Sequence, residues 1–124
     1  MTDDAYDAGM RVRREVLGDA HVDRAIAATD DFTADFQDMI TRYAWGSIWT
    51  RPGLDRKTRS CMTLAMLATL GHRDELAMHV RAALRNGLSK AEIGEVLLQV
   101  AIYAGVPAAN AAFAAARQAF EQDG

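Results

Sequence analysis

Apolar positions along this chain repeat at helical spacing, and no run alternates in the way a half-buried strand requires. The clearest case is Phe32, Phe36, Met39, Ile40 and Tyr43, at offsets of four, seven, eight and eleven from the first. This predicts a helix over 32–43 with one continuous apolar stripe. Upstream, a short helix is predicted over 6–17, closed by Gly18, followed by a brief helical turn over 22–29. Downstream, Arg51-Pro52-Gly53 marks a loop, because proline disfavours helix in the residue before it. The doubly aromatic stretch 45–54 is read as belonging to that loop.

Beyond it, Asp55 is a candidate N-cap for a helix over 56–70. Cys61, Met62, Leu64, Ala65, Met66, Leu67 and Ala68 are apolar on nearly every face, which predicts burial all round. Gly71 breaks this helix, and the next, over 73–85, has Leu76, Val80, Ala83 and Leu84 as its core stripe and Asn86-Gly87 as its C-terminal signal. Ser89, with Glu92 three residues on, fits a capping box. The helix it opens carries Ile93, Val96, Leu97, Val100 and Ile102, again on several faces. Gly105-Val106-Pro107 separates it from an alanine-rich last helix, where proline suits the first turn. The expected fold is all-α and compact, with about six helices. Helices that are apolar all round cannot be covered by one small core, since surface dominates small domains. A homo-oligomer is therefore expected.

The 124 residues suit one domain spanning 1–124. At 50% apolar and 25% charged, the composition is that of an ordinary globular protein. A net charge of −3 argues against non-specific nucleic-acid binding, which needs a basic face. The single cysteine, Cys61, excludes an internal disulfide and a CxxC motif. No apolar run approaches the roughly 20 residues that span a membrane, and Met1-Thr2-Asp3-Asp4 lacks the cationic and apolar regions of a signal peptide. A cytoplasmic protein without a membrane or nucleic-acid partner is expected.

The chemistry gathers between Trp45 and Arg81. His72, Glu75 and His79, at offsets of three and four, fall within about 60° of one another on a helix. Glu75 can orient His79 and stabilise its protonated form, and His79 lies beside Leu76 and Val80 at the edge of the buried face. A half-buried histidine with a carboxylate partner suits general acid or base work near neutral pH. The same spacing also describes a solvated surface pair, or three ligands of a metal. The metal reading lacks support, because the remaining histidine, His21, is remote in sequence. Arg51, Arg56 and Arg59 flank a turn and a helix start, where free backbone N–H groups favour anions. Arginine binds carboxylates bidentately, although three arginines at such a place can also be simply solvated. Arg81, two residues from His79, should point away from it toward a neighbouring element. Trp45 and Trp49 could wall a pocket or anchor the loop to the core. Gln99 and Tyr103 interrupt an apolar stripe and read as a structural hydrogen bond or a substrate contact. Cys61 reads as packing. No nucleophile and no cofactor motif stands out, so the set suits proton transfer on a carboxylate-bearing substrate.

With these residues laid out, the sequence resembles the γ-carboxymuconolactone decarboxylase family over nearly its whole length. The resemblance is carried by Tyr6-Asp7-Ala8-Gly9-Met10 and by the run from Arg13-Arg14-Glu15 through Val16-Leu17-Gly18-Asp19-Ala20-His21-Val22-Asp23. It continues in the 45–54 stretch, Arg59-Ser60, Glu75-Leu76 and His79-Val80-Arg81-Ala82-Ala83, and closes with the run 101–110. The family belongs to a wider all-helical group that includes alkylhydroperoxidase D proteins, whose proton relay uses a glutamate, a CxxC pair and a histidine. Matching that histidine to His79 puts His72 and Glu75 at the cysteines and Ser60 at the glutamate, so the thiol chemistry is absent. The resemblance implies an alkylhydroperoxidase D-like helical fold, assembled as a hexamer. It also implies cofactor-independent conversion of 4-carboxymuconolactone to 3-oxoadipate enol-lactone and CO2 in protocatechuate degradation by the β-ketoadipate pathway. The substrate would be a dicarboxylate lactone, with His79 and Glu75 catalytic. Arg51, Arg56, Arg59, Trp45, Trp49 and Tyr103 would bind it, with no metal. A related enzyme for another lactone or β-keto acid, and a non-enzymatic helical binding module, are the alternatives.

Overall fold

Residues 4–123 are described by the computed structural model, and every regular element among them is helical. Met1, Thr2 and Asp3 of the acidic start lie outside the described residues. The elements are α1 (Asp4–Leu17), α2 (Asp19–Ala27), α3 (Ala34–Ile40) continued by a π-helical segment (Thr41–Ile48), α4 (Arg56–Leu70), α5 (Arg73–Arg85), α6 (Lys90–Tyr103) and α7 (Val106–Asp123). Among the described residues seven α-helices stand where about six were expected. The addition is α2, expected as a turn over 22–29. Gly18 takes φ +92°, a value that L side chains rarely adopt, and so turns the chain directly from α1 into a helix beginning at Asp19. The chain divides into two compact units, one ending at Asp55 and the other starting at Arg56.

In the N-terminal unit, α1 packs on α2 and, most extensively, on the π-helical segment. Val12, Val16 and Val22 are buried, with Trp45 among them. The helix expected over 32–43 starts later and changes type midway. Asp30 Oδ1 accepts the N–H groups of Phe32 and Thr33 in a turn, so α3 begins at Ala34. From Thr41 the turns widen: the Trp49 N–H donates to the Ala44 carbonyl and Ser47 Oγ donates to that of Arg42, both five residues back. Trp45 to Ile48 are therefore helical and not loop. The widened turns meet α1 at two glycines. A Cβ on Gly9 would overlap the Thr41 carbonyl oxygen, and one on Gly46 would overlap that of Ala5. The expected stripe does not face inward: Phe32, Phe36, Met39 and Tyr43 are all exposed in the single chain.

The C-terminal unit is built on side chains. Leu64 and Ala68 of α4, Leu76, Val80 and Ala83 of α5, and Ile93, Leu97 and Val100 of α6 form one core with Ala112, Ala115, Ala116 and Ala119 of α7. Burying each of the large ones stabilises the fold by about 1.5–3 kcal/mol. Local signals hold here. Ser89 Oγ accepts the Glu92 N–H at 3.0 Å while Glu92 Oε1 accepts the Ser89 N–H at 2.9 Å. Asn86 caps α5, and Gly87 follows at φ +99°. Within the single chain burial is not all round. Met62, Met66 and Leu70 of α4 and Leu98, Ile102 and Tyr103 of α6 are exposed, because one layer of neighbours covers one side of each helix.

Candidate functional site

The two-residue connection of Gly71 and His72 makes α4 and α5 an antiparallel hairpin. Its register is marked by Asn86 Nδ2, which donates to the buried Ser60 Oγ at 3.4 Å and to the Ala82 carbonyl at 2.8 Å. His79 precedes Asn86 by seven residues, which puts the two within about 20° on α5. His79 thus lies on the side of α5 that faces α4, half-buried between the fully buried Leu76 and Val80. At 1.5 Å per residue it is roughly 10 Å along the hairpin from the Asn86–Ser60 contact. Glu75 stands one turn earlier and is exposed.

His72 departs from expectation. It is the N-cap residue of α5, with φ −84° and ψ 79°. The helical angle that grouped it with Glu75 and His79 therefore does not apply to it; Glu75 and His79 stay one turn apart on α5, and no hydrogen bond or ion pair joins the two among the described residues. Among the described residues no group of three or more histidine, cysteine, aspartate and glutamate side chains is arranged to hold a metal ion.

Arg56 and Arg59 lie in the first turn of α4, both half-buried. Arg56 precedes Ser60 by four residues and shares its face toward α5, whereas Arg59 is turned from it by about 100°. The structure therefore brings Arg56, Ser60, Asn86 and His79 onto the facing sides of one helix pair. Tyr103 is elsewhere. With Gln99 it lines an open groove of about 340 Å³ between α4 and α6, together with Cys61, Met62, Ala65 and Val100. The Tyr103 and Gln99 side chains are exposed there and make no hydrogen bond among the described residues, so the structural bond expected of them is not formed. Arg81 does point away from His79: its Nη1 donates to Gln122 Oε1 of α7 at 2.8 Å.

Arg51, Trp45 and Trp49 belong to the N-terminal unit. Trp45 is an interior residue, and its ring meets that of half-buried Trp49 at 5.1 Å between centroids and 31° between planes. Arg51 is exposed just past the π-helical segment, where its N–H donates to the Ile48 carbonyl. One residue with chemical potential was not singled out from sequence. Arg13 is buried on α1 against Thr41 and Gln37. The signal was available, because Arg13 follows Gly9 by four residues and precedes Val16 by three, on the apolar face of α1.

Residues 34–118 match the model of the Carboxymuconolactone decarboxylase family. A 4-carboxymuconolactone decarboxylase of Acinetobacter baylyi is 50% identical over 119 residues, which cover 96% of this chain and 89% of that protein. A nitrosuccinic acid decarboxylase of Metarhizium robertsii is 43% identical over 102 residues, covering 82% of this chain and 71% of that protein. A 4-carboxymuconolactone decarboxylase sequence of Pseudomonas putida is 66% identical over 41 residues, covering 33% of this chain and 85% of that sequence.

Proposed function

The chain belongs to the carboxymuconolactone decarboxylase family, and from that membership we propose that it converts 4-carboxymuconolactone to 3-oxoadipate enol-lactone and CO2. The observation that carries the reading is 50% identity, over nearly the full length, to an Acinetobacter protein named for this reaction. The relative named for nitrosuccinic acid is a decarboxylase too, so the reaction type holds across two named substrates.

The chemistry needs little from the protein beyond placement and one proton. When the ring carboxylate leaves as CO2, its bonding electron pair passes into the unsaturated lactone, giving a dienolate with its charge on the carbonyl oxygen. A proton is then added at the ring carbon next to that carbonyl, and the acid that gave it is recharged from solvent. The substrate is its own electron sink, so no step calls for a cofactor. His79 is assigned as the proton donor, with Glu75 supporting its protonated form. Its half-buried position on the α4-facing side of α5 supports this role, since a carbanion equivalent must be shielded from bulk water. Arg56 and Arg59, at the start of α4, are assigned to the substrate carboxylates, where free backbone N–H groups add to the favourable field. Arg51 is the further candidate for that task. Tyr103, in the groove between α4 and α6, takes no part in this chemistry.

The exposed apolar faces of α3, α4 and α6 support assembly into a homo-oligomer, with a hexamer as the proposed state. No helix among the described residues is long and apolar enough to cross a membrane, and a cytoplasmic location in aromatic catabolism is part of the proposal.

The test is direct ultraviolet measurement of lactone turnover by purified, chelator-treated protein. Turnover of the lactone well above that of nitrosuccinate and of a β-keto acid panel is the expected result. A reversed preference would move the chain to another substrate. His79→Ala should then lower kcat by about 10²–10⁴-fold, the usual worth of a positioned acid or base, with helicity and oligomer size unchanged. Glu75→Gln should cost less. Arg51→Ala, Arg56→Ala or Arg59→Ala should raise KM wherever the residue holds a carboxylate.

A further inference from the structure

Among the described residues Arg13 is the one buried charged side chain, 5% exposed within the N-terminal unit. Its hydrogen bonds go to neutral oxygens alone. Nη1 donates to Thr41 Oγ1 at 3.3 Å and Nη2 to Gln37 Oε1 at 3.0 Å. Nε is buried as well and has no acceptor among the described residues. Asp38, which lines the same cavity as Arg13, and the carboxylates beside Arg14 are engaged by other arginines. Asp19 and Asp23 pair with Arg14 at 3.0 and 2.9 Å, and Asp38 pairs with Arg42 at 2.7 Å. Burial pushes the Arg13 guanidinium below its ordinary pKa, with the Tyr6 hydroxyl acting in the opposite direction. Arginine keeps its proton under such shifts, so a positive charge stands in the interior without a counterion. That arrangement is costly unless an anion completes it.

Beside Arg13 is space for one. A cavity of about 360 Å³ is lined by Tyr6, Met10, Arg13, Gln37, Asp38 and Thr41, among others. Its volume is within the range of small-molecule sites and more than ten times a water's share of the liquid. The charge of Asp38 is offset by Arg42, whose guanidinium also lies over the Tyr6 ring at 5.3 Å. Arg42 is not part of the lining, but with it counted Arg13, Arg42 and Asp38 together carry one net positive charge. Gln37 spends its Oε1 on Arg13, which leaves its amide N–H groups as further donors.

We propose that this cavity is a carboxylate-binding site, in which the Arg13 guanidinium and the Gln37 amide hold the anion. The carboxylate comes from one of two sources, a free small carboxylic acid or an acidic side chain of a second copy of this chain. The inference does not rest on the decarboxylase reading, and its readout is binding.

The experiment uses the full chain with sodium succinate as probe and sodium chloride at matched ionic strength as control. Wild type and Arg13→Met are followed by thermal melting and light scattering. With a free carboxylate as the ligand, succinate at tenfold excess over its Kd raises the wild-type Tm by roughly 5 °C more than it raises that of the variant. With a second copy as the source, succinate has no effect on the assembled protein, and Arg13→Met shifts it to a smaller species. In chloride the variant should melt no lower than wild type while monomer and assembly are unchanged, because it replaces an uncompensated buried charge by an apolar chain of similar length. An equal succinate response in both proteins would overturn the site, and so would no response with no change in size. If Arg13→Met does not fold, Gln37→Leu takes its place. A reduced succinate response, or a smaller species, supports the site, and wild-type behaviour in both measurements overturns it.

Discussion

In the C-terminal unit helices meet through side chains, whereas in the N-terminal unit α1 and the π-helical segment meet backbone to backbone. Leu64, Leu76, Ile93 and Leu97 fill the first interface. Gly9 and Gly46 make the second, by leaving out what would otherwise strike the carbonyls of Thr41 and Ala5. The two interfaces fail in opposite directions. A side-chain core weakens as volume is removed, roughly in proportion to the cavity left. A backbone contact has nothing to remove and weakens only when atoms are added. The second interface also brings polar groups inside, since Thr41 and Arg13 are buried along it.

The largest expected effect comes from hollowing the side-chain core. Leu97 is 1% exposed and packs in the core shared by α4–α7. Leu97→Ala should cost about 2–5 kcal/mol, toward the upper end because the helices around it cannot collapse onto the space. Chemical denaturation of wild type and variant measures this. A cost below about 1 kcal/mol would mean that the unit is less tightly packed than its burial indicates, and the contrast would weaken.

Adding atoms to the other interface should come next. Gly46→Ala introduces one methyl group, at a place where it overlaps the Ala5 carbonyl oxygen, and backbone must shift to admit it. The cost should be about 1–3 kcal/mol. Alanine is otherwise the better helix former, by about 1 kcal/mol. A stabilised variant would therefore show that the close approach does not constrain the segment. Amide hydrogen exchange sharpens the result: protection should fall in residues 4–48 for Gly46→Ala, and in α4–α7 for Leu97→Ala.

The same contrast explains what the sequence made legible. Apart from the stop at Gly18, the positive signals that held, the stripe of Leu76, Val80 and Ala83, the capping box at Ser89 and Glu92, and the Asn86-Gly87 stop, belong to the C-terminal unit. Glycines carry no periodic signal, so the interface at Gly9 and Gly46 was invisible, and with it the π-helical turns that it accommodates. The stripe at Phe32, Phe36, Met39 and Tyr43 was real as a pattern, but periodicity does not say whether a face meets its own chain. His79 at the edge of a buried face was readable from its position between Leu76 and Val80, and so was Arg81 turned away from it. His72 was misplaced because, at the N-cap of α5, its ψ of 79° turns its side chain off the helical register. Arg13 went unnoticed because arginine on an apolar face reads as a snorkelling surface residue until its neighbours are known.

The smallest expected effect concerns the local charge that fixes the start of α6. The Ser89 N–H, and after it Lys57 with Nζ 3.4 Å from Oε2, hold the Glu92 carboxyl below its usual pKa. A carboxyl depressed in the folded state contributes stability that is fully present above its unfolded pKa, about 4.3, and is lost as pH falls through the folded value. Glu92→Gln keeps the shape of the capping box, since glutamine also accepts from the Ser89 N–H, and removes the charge alone. Its Tm should lie slightly below wild type at pH 7. The gap should close as pH drops below the ordinary carboxylate range, where wild-type Glu92 takes up its proton. The pair with Lys57 is exposed and screened, so 1 M salt at pH 7 should narrow the gap without abolishing it, leaving the part due to the Ser89 N–H. Should the gap persist unchanged at pH 2, the variant has disturbed the geometry of the cap. The start of α6 would then depend on close fit, as the glycine contact of the N-terminal unit does, and not on charge.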